Sequence, residues 1–214
     1  MKVRYFTYHR YVNGTGAMTR TRAEQREATR RTLVAVGRRL FSDKGYAAVG
    51  LAEIVREAGV TKGALYHHFD GKAALFRAVL EEVQQEVATR VAAAADAEGD
   101  PWDQLKAGCA AFVRAAADPE VQRIMLVDGP AVLGWNEWRA IDEAASARHL
   151  AEALTALAET GTIAPGPVAP LTRLLSGAMN EAVLWLARPE SGPDDLDATL
   201  AALSRLLEGL RVRT

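Results

Sequence analysis

Residues 41–76 read FSDKGYAAVGLAEIVREAGVTKGALYHHFDGKAALF. Leu51, Ile54, Val55 and Ala58 recur there at helical spacing and stop at Gly59, and Leu65 and Phe69 form a second short apolar pair behind Thr61. Lys72 opens a longer run carrying Leu75, Phe76, Val79, Leu80, Val83 and Val87. Upstream, Leu33, Val36, Gly37, Leu40 and Phe41 make an i, i+3, i+4, i+7, i+8 stripe that ends before Gly45. The spacing predicts a helix from about residue 23, two brief helices joined by a tight turn, and a long helix from residue 72.

Two short helices behind a buried one form a helix-turn-helix, whose second helix enters the DNA major groove. Thr61 is a good N-cap, which leaves the amide groups and positive dipole end of the helix beginning at Lys62 free to face phosphate. At about 100° per residue, Leu65 and Phe69 share one side, while Lys62, Gly63, Tyr66 and His67 fan across an adjoining arc. The pair packs inward and the set faces DNA. Gly63 lets the backbone approach the duplex closely, and Tyr66 offers a hydroxyl to phosphate.

The charge distribution agrees. The 214 residues carry a formal net charge of -1, but residues 1–77 hold 15 Lys/Arg against 6 Asp/Glu, and residues 78–214 hold 11 against 21. A surplus of nine positive charges precedes one of ten negative charges, so the N-terminal third is suited to a polyanion. With 49% hydrophobic and 25% charged residues the composition is that of a globular chain, not a disordered one. Its one cysteine, Cys109, leaves no internal disulfide, and no apolar run reaches the roughly 18 residues of a membrane span. The expected compartment is the cytoplasm.

Strand alternation is absent, and an all-α fold is expected. Pro101 is placed for a helix start, while Pro119 and Pro130 punctuate the segment downstream of it. A long helix is expected from Trp135 to about Thr160, a loop at 164–170, and two apolar helices at 168–187 and 194–211.

From Gly45 to Phe76 the pattern G-Y-x(8)-I-x(4)-G-V-T-K-G-A-L-Y-H-H-F-x-x-K-x-x-L-F resembles the DNA-binding domain of the TetR family of bacterial transcriptional repressors. The resemblance covers about residues 25–80. It implies a homodimer of about nine helices per chain, with a three-helix DNA-binding head and a larger helical domain for a small-molecule effector and dimerisation. The implied division is a basic, aromatic tail over 1–22, the head over 23–71, and the effector and dimer domain over 72–214. Thr61, Lys62, Gly63, Tyr66, His67 and Lys72 would lie at or near DNA. Gly50 stands where the family usually has a Ser or Thr that caps the second helix and touches phosphate. Gly37 stands where Ala is usual, at a cost of about 1 kcal/mol in helix propensity unless packing requires it.

The implied function is that of a ligand-responsive regulator, a repressor leaving a palindromic operator when a small hydrophobic or aromatic effector binds. Trp102, Cys109, Phe112, Met125, Trp135, Trp138, His149, Met179, Asn180 and Trp185 are the candidates to line its pocket. No cofactor or metal is expected, since His67 and His68 point apart and have no ligand-spaced partner. Gly71-Lys72 lacks the rest of a phosphate-binding loop. The alternatives are a dimeric DNA-binding regulator without an effector, or a small all-α enzyme, for which no nucleophile or acid/base pair is evident. Tyr5, Phe6, Tyr8 and Tyr11, interleaved with Lys2, Arg4, His9 and Arg10, would make either an unstructured terminus or an arm that follows a DNA groove.

Overall fold

The computed structural model describes residues 21–188, 190–192 and 194–212, and the aromatic-basic stretch at the N-terminus lies outside them. Helix α1 spans Arg22–Lys44 and starts with a capping box: the Thr21 hydroxyl accepts from the Glu24 N–H, and the Glu24 carboxylate accepts from the Thr21 N–H. Helix α2 spans Leu51–Ala58 and α3 spans Lys62–His68. The turn between them needs Gly59, whose φ of +65° lies in the left-handed region. Gly50 caps α2 without a side-chain hydrogen bond, whereas the Thr61 hydroxyl accepts from the Ala64 N–H at 3.1 Å.

Helix α4, Lys72–Asp96, carries the head into the larger domain. Phe41, Tyr46 and Phe76 meet at this junction, with ring centroids 5.1–5.6 Å apart. Leu33, Ile54, Leu65, Phe69 and Leu75 complete the core of the head, as the apolar stripes predict. Lys72 also holds the head together. Its ammonium donates to the carbonyls of Tyr46 and Val49, both at 2.8 Å, and lies 4.0 Å from the Tyr46 ring centroid.

Helix α5, Pro101–Ala116, starts at the Asp100 cap with proline in its first turn. Next come α6, Pro119–Gln122, a π-helical stretch Arg123–Asp128 and α7, Gly129–Leu133. Pro130 therefore does not interrupt the chain as expected. A proline has no N–H for the carbonyl four residues back, and the wider π-turn ahead of it accommodates that loss. Gly129 is required by contact: a Cβ there would lie 2.8 Å from Trp138 Cδ1 and 3.1 Å from the Ile124 carbonyl oxygen.

The single helix expected from Trp135 to Thr160 is two, α8 at Trp135–Ala144 and α9 at Ser146–Glu159. Ala145, at φ -111° and ψ -110°, turns the chain. No proline or glycine marks that break. It follows from packing, since α8 lies on α7 while α9 lies on α5 and α10. Helices α10, Val168–Leu186, and α11, Asp195–Glu208, end the fold. The described residues thus contain eleven α-helical segments and the π stretch, more than the nine or so implied by the resemblance. Beyond the helices, one antiparallel bridge joins Ile163 to Arg211.

Candidate nucleic-acid interface and effector cavity

On α3 the buried Leu65 and the capping Phe69 face the core, while Lys62, Gly63, Tyr66 and His67 are exposed together on the outer side. Open space surrounds Gly63, whose nearest atom to an added Cβ would be the Thr61 hydroxyl at 3.9 Å. Tyr66 is 49% exposed, with the Lys62 ammonium 5.8 Å from its ring centroid. The first turn of α3 holds no acidic residue. Lys72, in contrast, spends its ammonium on the head's own carbonyls.

The head's positive surplus is not spread evenly. Arg39, Lys44 and Arg56 pair with Glu53 or Glu57, and Arg38 pairs with Glu82, Glu86 and Glu120. Among the described residues of the head, Arg22, Arg26, Arg30, Arg31 and Lys62 have no carboxylate partner. All but one of these sit on the first half of α1. His68, half-buried behind this group, has its pKa lowered by burial and by the neighbouring His67, Arg26 and Arg30.

The head is tied to the larger domain through the π stretch. The Tyr46 N–H donates to the Asp128 carboxylate at 2.8 Å, and the Arg123 guanidinium donates to the Asp43 carbonyl at 3.3 Å.

A cavity of about 350 Å³ lies between α4, α5, α9 and α10, with the end of α8 at its edge. Of the ten residues expected to line it, Cys109, Phe112, His149 and Met179 do so. The other six, including every tryptophan, lie elsewhere. The Trp102 indole N–H donates to Glu208 at 3.1 Å and fastens α5 to α11. Trp138 donates to the Met125 carbonyl at 2.7 Å, and Met125 itself is interior to the π stretch. A buried indole settles where its N–H finds an acceptor, here at helix seams. Trp135 and Trp185 are 64% and 39% exposed, and Asn180 is buried away from the cavity.

Sequence reading missed six polar residues that line the cavity, Asp96, Gln104, Asp142, Ser146, Glu152 and Ser176. Positions 146, 149 and 153 follow helical spacing along α9, a signal that was present, whereas Asp142 joins them from α8 across the break at Ala145. Asp142 is 2% exposed, and its Oδ2 accepts from Arg139 Nη1 at 2.9 Å. Burial pushes this carboxyl above the usual carboxylate range, and Arg139 opposes the rise. Burial also pushes the Cys109 thiol up to about 12, so it lines the wall as a neutral group. Among the described residues no cluster of three or more His, Cys, Asp or Glu could hold a metal ion, and no helix is long and apolar enough to cross a membrane.

Residues 33–79 match the family model for bacterial regulatory proteins of the tetR family, and residues 102–210, just over half the chain, match that for the tetracyclin repressor-like C-terminal domain. The chain belongs to the TetR family, whose members are DNA-binding transcriptional regulators and not enzymes. It is similar to a TetR-family transcriptional regulator from Pectobacterium atrosepticum of known crystal structure, at 38% identity and a TM-score of 0.73, over 91% of this chain and 99% of that one. It is 28% identical over 183 residues to the A-factor receptor protein of Streptomyces griseus, a match spanning 83% of this chain and 61% of that protein. The regulator TtgR of Pseudomonas putida is 38% identical over 92 residues, 43% of this chain and 42% of its own.

Proposed function

We propose that this chain is a dimeric repressor that binds a palindromic operator and leaves it when a small, largely apolar effector enters the cavity between α4, α5, α9 and α10. The observation that carries the DNA reading is the exposed face of α3, where Lys62, Gly63, Tyr66 and His67 stand together near Arg26 and Arg30 of α1, which have no carboxylate partner among the described residues. Lysine and arginine supply phosphate contacts, and the helix itself reads base edges.

Two copies would meet through α10 and α11. Leu174, Leu184, Trp185 and Leu206 leave large apolar side chains exposed on these helices, a pattern that favours burial against a second copy. A two-fold axis there would set two α3 helices about 34 Å apart, the spacing of successive major grooves. An effector between α4 and α9 would favour a conformer in which α4 moves the heads off that spacing. By linkage, operator DNA must then weaken effector binding by the same factor. The cavity supports this reading over a regulator without an effector.

Footprinting on DNA upstream of the chain's own gene tests the proposal. A protected inverted repeat is the expected result. Purified protein that is monomeric and fails to retard any such fragment at low ionic strength would refute it.

A further inference from the structure

We infer that the cavity takes a compact, mostly apolar molecule whose polar end donates hydrogen bonds, a hydroxyl or an amine, and that it rejects carboxylates. This deepens the effector reading and rests on it. Val91, Leu105, Phe112, Leu150 and Met179 make the wall apolar over most of its extent, which sets the body of the ligand. The polar end is set by Asp142 and Ser146, on either side of the break at Ala145.

Both hydrogen bonds of the Asp142 carboxylate use Oδ2, from Arg139 Nη1 at 2.9 Å and from Ser176 Oγ at 3.5 Å. A carboxylate accepts through two oxygens, so Oδ1 retains its capacity. Ser146 is 6% exposed and its Oγ has no hydrogen-bond partner. A hydroxyl removed from water without a partner is costly, and here it lines a cavity that can supply one.

The charges around the cavity exclude an anion. No lysine or arginine lines it, while Asp96, Asp142 and Glu152 do, and its imidazole, His149, has Nδ1 3.6 Å from the Glu152 carboxylate. Arg139, the cation nearest to Asp142, is engaged by Asp142, by Ser176 and by Glu143 at 3.6 Å. A carboxylate entering this site would meet Asp142 as a like charge in a buried setting, with no lysine or arginine in the wall to compensate it and His149 already facing Glu152. A donor meets an acceptor in Asp142, and in Ser146 a hydroxyl that can accept or donate.

The test uses four heads on one ten-carbon tail: 1-decanol, decylamine, decanoate and 1-methoxydecane, titrated calorimetrically into the full chain at pH 7. Decanol or decylamine should bind at least tenfold more tightly than decanoate and the ether. The stronger of the two donors identifies the head, and salt should weaken the amine alone. Ser146→Ala should cut the preference several-fold without lowering the unfolding temperature, since the hydroxyl it removes has no partner in the unliganded fold. Asp142→Asn, which frees Arg139, should improve decanoate binding. If that variant does not fold, Ser146→Ala decides. Decanoate or the ether binding as tightly as the donors, or no probe binding at all, would overturn the inference. Gel shifts on the footprinted operator with the same probes separate the two proposals. Donor probes that bind without releasing DNA leave the head-group assignment standing and remove the effector reading; release by decanoate does the reverse.

Discussion

The main-chain N–H of Tyr46 donates to the carboxylate of Asp128 at 2.8 Å, joining residues 82 apart in sequence. The turn that leads into the DNA-binding helices is thus held by the π stretch of the larger domain. A hydrogen bond to a charged acceptor contributes about 1.5–3 kcal/mol. Asp128→Ala should lower stability by roughly 1–2 kcal/mol, since part-burial lets water replace some of the contact. Asp128→Asn, which retains an acceptor, should lose less. Urea denaturation of the three proteins checks the order, and equal midpoints would show that the contact adds nothing to stability.

Two glycines should respond in opposite directions. An added Cβ at Gly37 would lie 3.4 Å from Leu75 Cδ2, an ordinary contact, so Gly37→Ala should stabilise α1 by up to about 1 kcal/mol. At Gly129 the Trp138 ring and the Ile124 carbonyl leave no room, and Gly129→Ala should cost about 1–3 kcal/mol. Thermal melts that moved the same way for both would contradict the packing described.

Lys62→Ala and Tyr66→Phe should weaken operator binding while leaving the melting temperature unchanged, because both side chains are exposed. For Lys62→Ala the slope of log affinity against log salt should flatten by about one. Lys72→Ala should behave differently, lowering stability because its ammonium ties Tyr46 and Val49 to α4. Should the Lys62 variant bind and respond to salt as the parent does, α3 is not the DNA face.

Arg38 links α1 to Glu86 on α4 and to Glu120 on α6. Its hydrogen bond holds the Glu86 carboxyl below the usual carboxylate range. A carboxyl with a depressed folded-state value contributes stability that is fully present above its unfolded pKa of about 4.3 and is lost as pH falls through the lowered value. The deficit of Arg38→Gln should therefore be present at pH 7 and shrink as the pH falls below about 4. Melts across that range decide, and a constant deficit would assign the effect of Arg38 to packing.

Leu174 and Leu206, 71% and 51% exposed, should both be covered in a dimer. Leu174→Glu or Leu206→Glu should give a folded monomer in sedimentation and a large loss of operator affinity. Persistence of the dimer in both variants would place the interface elsewhere.

Periodicity and punctuation made the head readable. Thr61, Gly59 and the Leu65–Phe69 pair are local signals, and local signals fix helix ends. The break at Ala145 had none, because it is imposed by where α8 and α9 find partners. The cavity was misread for a related reason. Aromatic content suggests an aromatic pocket, but a buried indole N–H takes its place from its acceptor, for Trp102 on a helix 106 residues away and for Trp138 on the π stretch 13 residues before it. Ser146, His149 and Ala153 keep helical spacing along α9, but Asp142 reaches the same wall from α8, across a break that no local signal marks.

Because every indole lies away from the cavity wall, a molecule can fill that space without touching a tryptophan. Intrinsic emission would then stay silent on occupancy itself, and any spectral change on titration would report a helix in motion. Trp102, clamped to Glu208, and Trp138, clamped to Met125, would serve as two independent gauges of which seam gives way.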